Sequence, residues 1–148
     1  MTVTFRAALS RDAERVVVLM RDYYGEDGYP FDARAARSAV DGLLARPELG
    51  QLWCVEAGGQ IVGYFALTLG YSFEYRGVDA FLDELYLAPA YRGQGIGTKA
   101  LVCLEDRARA LGVRALHLEV EKVKAAAIGL YRRWGFTEHD RFLMTKRL

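Results

Sequence analysis

From Thr2 to Ala8 (TVTFRAA) apolar and polar residues alternate, with Val3 and Phe5 on one face and Thr2 and Thr4 on the other. That is the period of a half-buried strand. Ser10 is positioned to cap a helix whose apolar positions include Ala13, Val16, Val17, Met20 and Tyr24. GEDGYPFD (Gly25 to Asp32) breaks the pattern, and Asp32 caps a second helix, ARAARSAVDGLLA, which ends at Arg46-Pro47. QLWCVEA and IVGYFALTLGY follow as strands joined by Gly58-Gly59, a two-residue hairpin signal. After SFEYRG turns the chain, DAFLDELYL (Asp79 to Leu87) makes a further strand. A helix from Thr98 to Leu111 stops at Gly112, RALHLEVE alternates as a strand, KAAAIGLYRRWG reads as a helix, and RFLMTKRL as a closing strand.

The expected order is therefore β-α-α-β-β-β-α-β-α-β, an α/β (α+β) fold in one domain, residues 1–148. Early hairpins and one late β-α-β unit imply a central mixed, mostly antiparallel sheet flanked by helices. At 52% hydrophobic and 26% charged residues the chain has the composition of a soluble globular protein. A net charge of +1 without a basic stripe argues against nucleic acid as a partner. No apolar run approaches membrane-spanning length, and no signal-peptide core opens the chain. Cys54 and Cys103 lie in apolar runs and read as small buried hydrophobes, so the expected setting is reducing and cytoplasmic. No metal-ligand spacing is found, and no metal is expected.

The stretch LAPAYRGQGIGTKAL carries Gly93, Gly95 and Gly97 directly before a helix. Each glycine costs roughly 0.5–1 kcal/mol relative to alanine in regular structure. Helix N-termini expose unpaired N–H groups and partial positive charge, and glycine lets a phosphate approach them. Arg92 adds a charge and Thr98 a hydroxyl, so a phosphate or pyrophosphate site is inferred here. Gly95-Ile96-Gly97-Thr98-Lys99-Ala100 also fits the G-x-G-x-x-G/A dinucleotide pattern, with Glu119 near the place of a ribose-binding acid. That reading needs a tighter strand-to-turn junction and more βα units than remain, leaving an NAD-type enzyme as the weaker alternative.

Arg92-Gly93-Gln94-Gly95-Ile96-Gly97 resembles the R/Q-x-x-G-x-G/A acetyl-CoA signature of the GNAT superfamily of N-acetyltransferases. FLDELYLAP before it, ALHLEVE after it, and AAAIGLYRRWGF with its L-Y-x-x-x-G-F ending fall in family order, covering Asp79 to Phe136. The polyamine and small-amine branch is the nearest in character. The resemblance implies that the signature strand splays from the next one. It puts the pantetheine arm of acetyl-CoA on backbone groups of Leu85 and Leu87, and the pyrophosphate on the amides from Arg92 through Gly93, Gln94, Gly95, Ile96 and Gly97 to Thr98. It further implies acetyl transfer to a primary amine by direct attack in a ternary complex. The acceptor expected first is a polyamine, diamine or lysine-like small molecule, and second a protein amine. A non-catalytic acyl-CoA-sensing module is the alternative from another class, and a homodimer is left open.

A lysine-like amine of pKa near 10.4 is neutral in only about 1 part in 2,500 at pH 7, a cost of roughly 4.6 kcal/mol, so a base is needed. Asp83 and Glu84 stand mid-strand. Strand alternation puts them on opposite faces unless a bulge intervenes, with Glu84 favoured as base. Tyr131 falls at the tyrosine that protonates the departing thiolate in many family members. Where the family has Asn at the entry to this helix, the chain has Lys124, which reads either as a CoA phosphate contact or as a solvated lysine. His117, Glu119 and Glu121 read as a solvated strand face. Glu26, Asp27 and Glu74, with Tyr24, Tyr29, Phe31 and Tyr75, read either as the wall of a cationic acceptor pocket or as ordinary acidic turns.

Overall fold

The computed structural model describes residues 1–148. β1 (Val3–Ala7) leads to α1 (Ala13–Glu26) and α2 (Ala33–Leu44), then to β2 (Gly50–Ala57), β3 (Gln60–Ser72) and β4 (Gly77–Leu87). α3 (Ile96–Ala110), β5 (Ala115–Leu118) and α4 (Ala125–Arg133) complete the regular structure. The sheet order is β1-β2-β3-β4-β5, antiparallel throughout except for the parallel β4–β5 pair. No helix is long and apolar enough to cross a membrane.

Alternation divides the sheet into two apolar faces. Trp53, Phe65, Leu67, Ala80 and Leu82 pack with Ile96, Ala100, Leu101 and Leu104 of α3 on one side. Leu52, Cys54, Tyr64, Ala66 and Tyr86 pack with Val16, Leu19 and Val40 of α1 and α2 on the other. The punctuation read from the sequence acts as expected at three points. Gly58 and Gly59 turn the β2–β3 hairpin with positive φ, Asp32 accepts from the Ala35 amide, and Gly112 ends α3 at φ +74°. Ser10 does not cap α1. The Asp12 carboxylate instead reaches back to the Leu9 amide at 2.7 Å while Arg6 holds it at 2.7 and 3.0 Å. A carboxylate that gains a guanidinium as well as an amide outcompetes a hydroxyl there.

The closing strand expected over RFLMTKRL is absent; residues 137–148 belong to neither helix nor strand. Its apolar positions find no layer to bury against, Phe142 being 96% and Met144 89% exposed. Arg141, its first residue, is engaged by Glu74 on the β3–β4 connection, at 2.9 and 3.1 Å. The strand read over RALHLEVE also shortens, to Ala115–Leu118.

Asp12 generates a test of the N-terminal junction. Arg6 first, and then the Leu9 amide, hold the buried carboxyl down from 3.8 to about 2. Its contribution, about 2 kcal/mol, is present above pH ~4 and disappears as pH falls through that interval. Asp12→Asn should lower the melting midpoint at neutral pH by roughly 4–8 °C. The difference from the parent should close between pH ~4 and ~2; a difference independent of pH would assign the loss to packing instead.

Candidate active site

The site begins with a fault in the sheet. β3 and β4 shift register between Ala66 and Leu67, so that Leu82 opposes Leu67, Glu84 opposes Ala66, and Asp83 is the extra residue of a bulge. Before it, Ala80 and Leu82 face α3; beyond it, Leu85 and Leu87 pack against that same face while Tyr86 lies with α1 and α2. The opposite-face placement expected of Asp83 and Glu84 by alternation is thereby removed. Both acids stand on the α1 side, close enough that Asp83 adds to the upward shift of Glu84.

The same bulge coincides with the end of β4–β5 pairing. The parallel ladder covers only Asp79–Leu82 against Ala115–Leu118, so β4 from Asp83 to Leu87 has no partner on its β5 side. The Ala88 amide donates to Val62 on β3, which by alternation turns the backbone groups of Leu85 and Leu87 towards the opening. The splay expected from the sequence is present, and Leu85 and Leu87 lie along it. The Leu87 carbonyl already accepts from Arg92 Nε at 2.7 Å.

At the end of this strand the chain turns through Pro89–Tyr91 into the glycine stretch. Gly93 and Gly95 have φ of +71° and +78°, a region costly for other residues, and a Cβ at either would meet nothing within 4 Å. Gly95 caps α3 without a side-chain hydrogen bond, so the first-turn amides from Ile96 to Thr98 are offered outward from a positive helix end. Gly97 serves packing, its absent Cβ lying 3.8 Å from Leu130 of α4. Gln94 is tied back to the Ala90 carbonyl at 3.0 Å, and the Ile96 side chain is in the core. Arg92 has its guanidinium on Glu26 at 2.9 and 3.0 Å and over the Tyr86 ring. This cradle of open space, free amides and an unpaired strand edge fits a ligand with a pyrophosphate and an amide-bearing arm.

Glu84 is the acid the fold invests in. Tyr24 of α1 donates to one carboxylate oxygen at 2.6 Å and Tyr64 of β3 to the other at 2.7 Å. Burial raises its pKa; the two phenols act in the opposite direction and Asp83 adds to the rise. Asp83 is exposed on the bulge, its carboxyl raised by desolvation alone. Tyr131, half-buried on α4, is raised by burial alone. Tyr23 joins the two layers: it stacks on Tyr86 at 5.4 Å and lies within electrostatic reach of Asp27, Glu84, Tyr131 and Glu121. Burial first, and then those charges, push its phenol up to about 12.

The acids offered by the loops are committed elsewhere. Glu26 holds Arg92, Asp27 holds Lys124 Nζ at 2.8 Å, and Glu74 holds Arg141. Lys124 is thus an ion-paired lysine, fixed by Asp27, with part of its side chain still exposed. Nor is the β5 end a plain solvated face: His117 Nε2 lies 3.1 Å from Asp79, and Glu121 accepts from Tyr29. Sequence reasoning missed Tyr23, Tyr64 and Tyr86. Tyr64 did carry a signal, because a tyrosine inside the apolar run VGYFAL must find a hydrogen-bond partner when buried.

Residues 14–136 match the acetyltransferase (GNAT) family. The chain is 31% identical over 142 residues to an L-methionine sulfoximine/L-methionine sulfone acetyltransferase of Pseudomonas aeruginosa, covering 92% of this chain and 81% of that one. It is 36% identical over 138 residues to the N-alpha-acetyltransferase RimI of Mycobacterium tuberculosis, covering 90% and 78%. An integron cassette protein from the mobile metagenome of Cole Harbour Salt Marsh superposes with a TM-score of 0.87 at 38% identity, covering 97% and 90%. The chain belongs to the GNAT family and is an acetyl-CoA-dependent N-acetyltransferase. These relatives establish the family and an amine acceptor; they do not single out its polyamine branch.

Gly95→Ala tests the cradle. With open space around the new methyl, the substitution costs about 1–2 kcal/mol of left-handed strain without a clash. Calorimetry should show acetyl-CoA affinity falling at least tenfold as the first turn shifts to relieve that strain. Unchanged affinity with the same loss of stability would place the pyrophosphate elsewhere.

Proposed function

We propose that this enzyme acetylates the primary amine of a small molecule by direct attack, with both substrates bound at the β4–β5 opening. The observation carrying the reading is Glu84, a half-buried carboxylate held by two phenols at the wall of that opening. The splayed backbone of Leu85 and Leu87 takes the pantetheine arm, and the amides from Gly93 to Thr98 take the pyrophosphate. Arg92 contributes by fixing the loop, its guanidinium already shared between Glu26 and the Leu87 carbonyl.

Bound acetyl-CoA supplies a thioester carbonyl as electrophile and its sulfur as leaving group. Glu84 accepts the proton that the amine must lose to attack, directly or through water, and its raised pKa narrows the gap to the ammonium. The amine nitrogen bonds to the carbonyl carbon as the carbon–sulfur bond breaks, and Tyr131 gives its proton to the sulfur. Burial keeps that phenol protonated until a thiolate is there to receive it. Asp83, beside Glu84 and open to solvent, is the second acid of the pair and draws the ammonium inward. Small primary amines, the class that includes polyamines, diamines and lysine-like molecules, are the acceptors this acidic, tyrosine-lined wall admits. A protein amine is the second class, in keeping with the alpha-amine named for the RimI relative.

Glu84→Gln should lower kcat/KM by about 10²–10⁴-fold while acetyl-CoA affinity is kept. The base works as the carboxylate, so activity falls as pH drops through the Glu84 pKa, above the ordinary carboxylate range. Tyr24→Phe removes a hydrogen bond that lowers this pKa, and the acid limb of the pH–rate profile should move to higher pH. Tyr131→Phe should reduce kcat without raising KM. An unmoved acid limb in Tyr24→Phe, or parental rates in Glu84→Gln, would remove Glu84 as the base.

A further inference from the structure

Beyond Glu84 the acceptor wall ends in a charge that the chain itself supplies. Lys124, at the entry to α4, extends its ammonium over the Tyr23 ring, 5.1 Å from the centroid. There it meets both oxygens of Asp27, at 2.8 and 3.0 Å. The Asp27 side chain is 14% exposed and that of Lys124 35%, so the carboxylate is largely covered while the lysine side chain remains reachable from solvent. The Tyr29 hydroxyl, donating to Glu121, makes a second tie between the same two connections, α1 to α2 and β5 to α4. The ammonium is thus held in place rather than trailing in solvent.

Tyr23 links this pair to the base: its ring lies under the Lys124 ammonium and edge-on to Tyr24 at 5.9 Å, and Tyr24 donates to Glu84. An aromatic face with a carboxylate beside it is a cation site, and here a resident lysine fills it. We infer that Lys124 is a specificity-determining residue. Its ammonium occupies the second cation position of the acceptor cleft, so the enzyme prefers acceptors that carry one amine and a carboxylate at the far end. An acceptor amine at Glu84 lays its body along Tyr23 and brings its far end to Lys124. A second ammonium there meets a like charge whose anion is already taken. A carboxylate meets the N–H donor that the two Asp27 oxygens leave over, since an ammonium has three.

This inference rests on the small-amine reading and selects within it: acceptors with one amine and a distal carboxylate over diamines and polyamines. The test compares kcat/KM for hexylamine, ε-aminocaproate and hexamethylenediamine in the parent, Lys124→Gln, Lys124→Arg and Asp27→Asn. In the parent the amino acid should be the best of the three and the diamine the poorest. Lys124→Gln vacates the Asp27–Tyr23 site and should reverse that order, improving the diamine by roughly tenfold, the size of one charge pair gained. Lys124→Arg should keep the parental order, and Asp27→Asn should sharpen the preference for the amino acid. The same order in Lys124→Gln as in the parent, with turnover intact, overturns the role of Lys124 and leaves the small-amine reading standing. Acetylation of none of the three by the parent overturns the small-amine reading, and the inference falls with it.

Discussion

One extra residue in β4 governs the chemistry of this fold. With Asp83 bulged out, Glu84 turns to the α1 layer, where Tyr24 and Tyr64 hold it, instead of entering the core beneath α3. At the same point the β4–β5 ladder ends, freeing the backbone of Leu85 and Leu87 along an opening in the sheet. In a regular strand those groups would be satisfied by β5 and an acid at position 84 would face leucines, at a desolvation cost of several kcal/mol. Under the proposed function, the bulge converts both liabilities into a binding edge and a base beside it.

The layers then divide the work. α3 and its glycine turn sit on one face and offer amides and a positive helix end. α1 sits on the other and offers phenols that hold Glu84. The two approach each other through Tyr23, which is in electrostatic contact with Glu84 from one layer and with Tyr131 from the other. Arg92 ties them mechanically, with the Leu87 carbonyl on one side, Glu26 at the end of α1 on the other, and the Tyr86 ring beneath. Displacement of α1 therefore disturbs the glycine turn and Glu84 together.

What was legible in the sequence was what short-range chemistry dictates. Alternation announces strands, and Asp32, Gly58-Gly59 and Gly112 punctuate as their φ preferences and hydrogen bonds require. The motifs around Asp83, Glu84 and Tyr131 carried the family as well. What was not legible depends on partners distant in the chain. The choice between one face and two for Asp83 and Glu84 turns on register against Ala66, and the fate of Glu26, Asp27 and Glu74 on cations 66, 97 and 67 residues away. The closing segment shows the limit of alternation itself. RFLMTKRL has the period of a strand, yet period alone supplies neither a sheet edge nor a layer to bury Phe142 and Met144.

The account stands on the opening in the sheet being the place where acetyl-CoA lies. Residue-resolved amide hydrogen exchange, with and without coenzyme A, addresses it directly. The Leu85 and Leu87 amides, with those of the α3 first turn, should exchange freely in the free enzyme and become protected on binding. Those of Ala80 and Leu82, already within the β4–β5 ladder, should change little. Binding without new protection at Leu85 and Leu87 would contradict the account.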